Sequence, residues 1–453
     1  MSKVKDNSTS FSSSIGFILS SAGSAVGLGN LWRFPYLASE YGGGLFLLVY
    51  LLLAVTFGFS LVITEVAIGR KTGLGVIGAY KSINERFSFL SGVATLVPII
   101  ILPYYCLIGG WVTKYMISYI GGYATDMANS DYFYNFTSST LEPIAYLLIF
   151  LSITTIIVFL GVQKGIENVS KFMMPILFIL TLIITIYALT INGVASCVKY
   201  YLVPDFKHFS VKTLLSALGQ LFYSMSIATG VMITFGSYTP KDINVVKSVR
   251  QIELWDTVMA FLSGLMIIPA VISFEGLDNM NKGSGLMFIT LPKIFNKMPY
   301  GNIIGGLFFI LVFFAGITSA ISMMETIVRI TMDRLSMSRI SACIVVFLFA
   351  LILGTPSSLG HGIWIDIKIL GMDILSFFDF LGNSVIMPII AFTTCLLVAW
   401  FCDIKLITNE IKIGGVAFKE ERFYKVMIKY ICPIFILAIL IFSLLEGLGV
   451  III

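Results

Sequence analysis

The sequence predicts an all-α polytopic membrane protein: eleven transmembrane helices in a 5+5 inverted-repeat fold, with broken first and sixth helices plus one extra helix. Three observations lead there. Of 453 residues, 58% are hydrophobic and 12% charged, and a mean hydropathy of +0.97 is too high for a soluble chain of this size. Apolar runs long enough to cross a bilayer core of about 30 Å recur along the whole chain. Two of these runs, five apart, are interrupted at mid-depth by glycine and polar residues, and paired interruptions in two groups of five indicate an internal inverted repeat.

In chain order, residues 1–13 are polar and Ser-rich and lack the apolar region of a signal peptide, so they read as a cytoplasmic N-terminal tail. A first five-helix repeat (14–190) holds spans near 14–37, 43–68, 89–122, 142–160 and 167–190. A second (191–401) holds spans near 213–237, 250–274, 302–332, 339–354 and 375–401. A cytoplasmic loop and the eleventh helix, near 424–450, fill 402–453. Loops on the N-terminal side carry Arg70, Lys71, Lys81, Arg86, Lys164, Lys241, Lys247, Arg250, Arg334, Arg339, Lys405, Lys412, Lys419 and Arg422. The positive-inside rule makes that side cytoplasmic, so an odd span count puts the C-terminus outside the cell membrane.

The first span deserves the closest reading. Gly23, Gly27 and Gly29 break it, and Asn30 and Arg33 follow at membrane depth. A lipid-facing helix must satisfy its own backbone hydrogen bonds, so such a cluster belongs where unwound chain faces protein or a watery cavity. The alternative is that the glycines only let helices pack closely. The sixth span repeats the pattern with Gln220, Ser224, Ser226, Thr229 and Gly230; hydroxyls bonded back to their own helix are the alternative there. Glu65, Tyr104, Tyr105, Asp256, Thr318, Ser319 and Asp379 are further polar groups in apolar runs, each a candidate by default. Asp256 could instead be interfacial, since Arg250 and Glu253 precede it, and Tyr104 could be a packing aromatic. Asp379 is the natural partner of Arg33.

No catalytic constellation is present: His208 and His361 stand apart in loops, and there is no HExxH, GxSxG or phosphate loop. The chain therefore reads as a non-enzyme, and any uphill movement of solute must draw on an ion gradient. The 29 Lys and Arg against 24 Asp and Glu form no basic tract for nucleic acid. Six cysteines show no disulfide or metal spacing.

Residues 22–35 read AGSAVGLGNLWRFP, which resembles the first-span signature of the neurotransmitter:sodium symporter family, the family of the bacterial leucine transporter. Gly42-Gly43-Gly44, Glu65 with Gly69-Arg70, Tyr104-Tyr105, Gly219-Gln220-Leu221-Phe222-Tyr223, Phe314 to Ser319 and Asp379 extend the likeness over nearly the whole chain. The resemblance implies a sodium-coupled importer with its substrate between the broken helices. It implies one sodium held by the Ala25 carbonyl, Asn30, Ser224, Asp256 and the substrate carboxylate. A second would be held by the carbonyls of Gly23, Val26 and Ala315 with the Thr318 and Ser319 hydroxyls. Hard oxygen donors suit a dehydrated alkali cation. The amides near Leu28 and Gly29, at the start of a half-helix, would face the carboxylate beside Tyr105. Carbonyls around Ala25, Tyr223, Ser224 and Ser226 would take the ammonium, with Ile101, Ser226, Thr229, Ser319 and Met323 along the pocket. Arg33 with Asp379, and Tyr105 with Tyr223, would close the outside, while Asp333 and Tyr238 match the inner gate.

The departures from the family pattern also inform. Gly27 stands where amine-transporting relatives have aspartate, so an α-amino acid is expected, and Thr229 replaces a large aromatic, so its side chain is expected to be bulky and hydrophobic or aromatic. Asp256 stands where chloride-dependent relatives have asparagine, which implies chloride independence. The usual basic partner of Asp333 is missing before the first span, with Lys3 or Lys5 as substitutes. An amino-acid-binding membrane sensor without transport is the alternative reading, and a channel a third.

Overall fold

The computed structural model describes residues 10–191, 193–276 and 283–447. Helices dominate, as the apolar runs require, because a helix satisfies its own backbone within lipid. Among the described residues, nine helices are long and apolar enough to cross a membrane, or ten when the bent pair Ser14–Ala25 and Gly29–Glu40 counts as one span. The expected count of eleven includes the segment of Val211–Ser224 and Val231–Ser237, whose two pieces are each too short to cross alone. The other spans are Gly44–Thr72, Glu85–Ile120, Glu142–Phe159, Val162–Ala188, Val245–Glu275, Gly301–Leu335, Arg339–Leu359, Ile374–Phe401 and Glu421–Gly447. They are called here the second to fifth and the seventh to eleventh spans.

Local chemistry sets the helix starts. The Ser13 hydroxyl accepts from Gly16 N (3.1 Å) and opens the first helix; Ser210 accepts from Thr213 N (3.1 Å) at the start of the sixth span, and Asn244 from Lys247 N (3.0 Å) at the seventh. Large apolar side chains such as Leu52, Ile156, Phe172, Ile352 and Ile434 are exposed, the arrangement expected of a lipid-facing rim.

Inside that rim, the first helix packs on the fifth, seventh and eighth spans, and the second half of the sixth lies along the second. Third and eighth spans pack along their length. The two interrupted segments therefore sit at the centre, walled by long continuous helices. On the N-terminal face, Arg70 is a buried tie rather than a topology marker only: its guanidinium meets Glu410 at 2.9 Å, and Lys241 reaches the same carboxylate at 2.7 Å. That joins the end of the second span, the linker after the sixth, and the loop after the tenth.

Candidate functional site

Regular winding stops in the first span at Ala25 and resumes at Gly29, with a bend of 51° between the halves. Val26 is extended (φ −75°, ψ 94°), its N–H still bonded to Ala22 O at 2.7 Å. Gly27 N donates to the Asn30 side-chain oxygen (3.2 Å) and Leu28 N reaches the Tyr105 hydroxyl (3.4 Å), so side chains take over backbone donors that the helix gave up. Gly27 has no room for more: a Cβ there would lie 2.7 Å from Ser319 Oγ and 3.0 Å from the Tyr105 hydroxyl. Both sequence readings of the glycines hold, at different positions. Gly23 lies within regular helix, and a Cβ there would stand 3.1 Å from Thr318 Cβ, which is close packing.

The sixth span stops at Ser224 and resumes at Val231. Between them Ser226 (φ 52°), Ala228 (φ 62°) and Gly230 (φ 80°) take left-handed backbone. Glycine does this freely, but each of the other two costs on the order of 1 kcal/mol or more and needs outside support. Support is present. Ala228 N donates to Glu65 Oε1 at 2.7 Å, and the Ser226 hydroxyl donates to Ser24 O at 3.0 Å. Gln220 Nε2 donates to Gly29 O at 3.2 Å, so the two breaks are bonded to each other.

Where the breaks meet, four spans direct polar groups at one point. Asp256 is fully buried; Arg250 pairs instead with Glu253 (3.1 Å), which removes the interfacial reading of Asp256. Its Oδ1 accepts from Ser224 Oγ (2.5 Å) and Asn30 Nδ2 (2.9 Å), and its Oδ2 from the Tyr50 hydroxyl (2.9 Å). Asn30 Nδ2 also lies 3.1 Å from Ser224 Oγ. A second oxygen-rich contact joins the first and eighth spans: Ser319 Oγ donates toward Gly23 O and Ser24 O (3.2 Å each), and Thr318 Oγ1 toward Ala315 O (3.1 Å). Among the described residues no group of three His, Cys, Asp or Glu gathers as a transition-metal site would require.

Beside these contacts lies a narrow cavity with about 40 Å³ of free volume. Ala25, Leu28, Gly29, Ile101, Tyr105, Tyr223, Ser224, Ser226, Thr229, Ser319 and Met323, every pocket residue expected from sequence, line it. Ser24, Gly27, Asn30, Asn383 and Met387 complete the wall.

On the face away from the N-terminus, a larger cavity of about 450 Å³ is lined by Arg33 and Asp379 among others. The two make no direct ion pair. Arg33 lies over the Tyr223 ring, 5.2 Å from its centre, while Asp379 accepts from the Tyr104 hydroxyl (3.0 Å) and Asn383 Nδ2 (2.7 Å). Tyr104 is thus more than a packing aromatic.

The N-terminal face is filled instead. Phe11 N donates to Tyr238 O (3.0 Å), and the Phe11 ring packs on Phe17, Phe235 and Tyr238. Glu167 accepts from Ser12 N (2.8 Å) and Ser12 Oγ (2.5 Å). The Tyr238 hydroxyl donates to Glu325 (2.8 Å), which also takes the Arg339 guanidinium. Asp333 is met by Arg329 of its own helix (3.0 Å); the suggested partners Lys3 and Lys5 lie outside the described residues.

Sequence reasoning missed Tyr50, Glu325, Arg329 and Asn383. Glu325 carried a signal, a carboxylate inside an apolar helix. Tyr50, in the run Leu45 to Leu53, looks like any packing aromatic until its neighbours are known.

Comparisons with known proteins agree with this architecture. The sodium:neurotransmitter symporter family model matches residues 8–128 and 137–448. An uncharacterised sodium-dependent transporter of Bacillus subtilis is 34% identical over 441 residues, 95% of this chain and 96% of the relative. The human sodium- and chloride-dependent taurine transporter is 25% identical, covering 96% of this chain and 78% of its own. Among solved structures, MhsT in complex with L-phenylalanine superimposes with a TM-score of 0.87 at 32% identity, covering 96% of this chain and 99% of that one.

Proposed function

This chain belongs to the sodium:neurotransmitter symporter family, and we propose that it imports an α-amino acid with a bulky hydrophobic or aromatic side chain, coupled to sodium, by alternating access. The observation that carries this reading is the meeting of two helix interruptions on one cavity, bonded to each other through Gln220 and Gly29 and adjoining the oxygen cluster of Asn30, Ser224 and Asp256. Freed peptide groups and hard oxygens suit a zwitterion and a small cation together.

In this reading sodium is cargo. One ion takes the Ala25 carbonyl, Asn30 turned to offer its Oδ1, Ser224, Asp256 and the substrate carboxylate. The other takes the carbonyls of Gly23, Val26 and Ala315 with Thr318 and Ser319. Leu28, Gly29 and Tyr105 orient the carboxylate; carbonyls around Ala25, Tyr223, Ser224 and Ser226 receive the ammonium. Ile101, Thr229, Met323 and Met387 accommodate the side chain. Because substrate completes the first ion's shell, binding of each favours the other, which couples the two fluxes. Asp256 supplies a fixed negative charge, so transport is independent of chloride.

The open cavity at Arg33 and Asp379, with the filled face at Phe11, Tyr238 and Glu325, fits a state accessible from outside. The Arg33 guanidinium moving onto Asp379, with the rings of Tyr105 and Tyr223, closes that side after loading, and release follows when Tyr238 parts from Glu325. MhsT is described with L-phenylalanine bound, which supports the side-chain class.

Proteoliposomes holding the full chain test this. Accumulation of labelled phenylalanine, leucine or tryptophan against a gradient only when external sodium exceeds internal is the expected result. Binding without flux would replace the symporter by a sensor, and ion current without substrate accumulation by a channel.

A further inference from the structure

Asn383 sits where the central cavity meets the outer one, and its hydrogen bonding is one-sided. Asp379 Oδ1 can only accept, so the Asn383 NH2 group must face it. That group lies 2.7 Å from Asp379 Oδ1 and 3.0 Å from the Tyr104 oxygen, while Tyr104 itself donates to Asp379 at 3.0 Å. Both amide hydrogens are thereby used within a closed triangle, which fixes the side-chain plane. Asn383 Oδ1 is the polar atom left over on a residue that lines the central cavity, and no described residue donates to it. Along the same stretch Met387, one turn on, also lines the cavity, and the Ile101 side chain lies against Gly382. Thr229 offers no donor across the cavity, because its hydroxyl donates to Ser226 O at 2.7 Å.

We infer that Asn383 is a specificity-determining residue, whose fixed carbonyl oxygen accepts a hydrogen bond from a donor at the far end of the substrate side chain, a phenol O–H or an indole N–H. This rests on the central cavity being the amino-acid site proposed above, and it narrows the class from bulky side chains in general to donor-bearing aromatics. An apolar ring of the same size leaves the oxygen dry and unpaired, and a site built around such an acceptor discriminates against the analogue that lacks the donor. A neutral hydrogen bond of this kind is worth about five- to tenfold in affinity.

The test is equilibrium binding to the purified full-length protein in sodium, with two nearly isosteric ligand pairs: tyrosine against 4-fluorophenylalanine, and tryptophan against 3-benzothienylalanine. In the wild-type protein the donor-bearing member of at least one pair should bind about five- to tenfold tighter, and in Asn383→Leu that ratio should fall to near unity, whatever happens to absolute affinity. Equal affinities within both pairs in the wild type overturn the inference, and this arm does not depend on the variant folding. A ratio that survives in Asn383→Leu overturns it too, leaving Asn383 only a brace for Asp379 and Tyr104. Failure of all four ligands to bind the wild type would instead remove the amino-acid reading itself.

Discussion

The Ala228 N–H of the interrupted sixth span points at Glu65 Oε1 of the second span across 2.7 Å, and Glu65 is buried. A carboxylate from an unbroken helix thus holds the left-handed backbone on which Ser226 and Thr229 face the cavity. Removing the acceptor strands a buried N–H, at about 1 to 3 kcal/mol. Glu65→Ala should therefore lower the unfolding temperature of the detergent-purified protein and reduce substrate uptake at least tenfold, whereas Glu65→Gln, which keeps an acceptor oxygen, should retain the larger part of both. Equal behaviour of the two variants would show that the carboxylate does not support the break.

Asp256 is the one carboxylate of the oxygen cluster that joins Asn30, Ser224 and Tyr50. Wild-type uptake should be the same when chloride is replaced by gluconate. Asp256→Asn removes the charge while keeping the shape, so the sodium concentration for half-maximal uptake should rise at least about tenfold, in line with loss of a charged partner in a buried site. A sodium titration of uptake in both salts reads both effects, and a collapse of wild-type uptake in gluconate would refute the proposed role of the fixed charge.

At Gly27 a methyl group would press on Ser319 Oγ and the Tyr105 hydroxyl. Gly27→Ala should weaken substrate binding by about tenfold or more, the usual penalty for overfilling a packed site. Gly27→Ala with Ser319→Ala should not recover: it relieves the nearer clash but loses an oxygen proposed to hold sodium. Binding at saturating sodium recovering fully in the double variant would mean that Ser319 matters only as volume.

Tyr238→Phe keeps the ring against Phe11 but deletes the bond to Glu325. Losing about 1 kcal/mol from the closed form shifts the populations about fivefold toward opening at the N-terminal face. The measurement is labelling by a membrane-impermeant thiol reagent of a cysteine introduced beside Tyr238. Faster labelling in Tyr238→Phe than in the parent is expected, and unchanged labelling would remove Tyr238 from the seal.

Asp373 begins the tenth span, just outside the bilayer-crossing residues. Burial pushes its carboxyl up, but Ser376 N and Oγ donate to it (2.9 and 2.7 Å), His361 and Lys368 lie near, and the balance leaves it below the ordinary carboxylate range. A depressed value means its stabilisation is complete above the unfolded carboxylate range and is lost as pH falls through the folded value. Between pH 6 and pH 3 the wild type should lose more thermal stability than Asp373→Asn; parallel curves would show that the cap does not titrate as described.

Much of the candidate site's geometry was legible because its signals are local. Gly27, Asn30, Ser224 and Gly230 announce broken helices through residue types that a lipid-facing span cannot carry, and the pocket lining followed from the family's pattern at those positions. What stayed hidden depends on which helix faces which. Tyr50 becomes a ligand of Asp256 only through the packing of second and seventh spans. Asp333 has its partner one turn back at Arg329, where a search for a distant base does not look. Arg33 and Asp379, paired on paper by depth, make no direct ion pair, because the Tyr223 ring engages the guanidinium and Tyr104 with Asn383 engages the carboxylate.

The Asp333 pairing has a mechanical consequence. Arg329 and Asp333 ride on one rigid helix, so that ionic contact survives any relative movement of neighbouring helices and contributes nothing to holding them together. The contacts that cross between segments on that face are made elsewhere: the Tyr238 hydroxyl and the Arg339 guanidinium on Glu325, Arg329 over the Tyr238 ring (5.6 Å), Ser12 on Glu167, and Arg70 and Lys241 on Glu410. Of these, the exposed arm of Lys241 should loosen as salt rises while the buried Arg70–Glu410 pair is screened far less, so added salt should erode the tie at this face only in part.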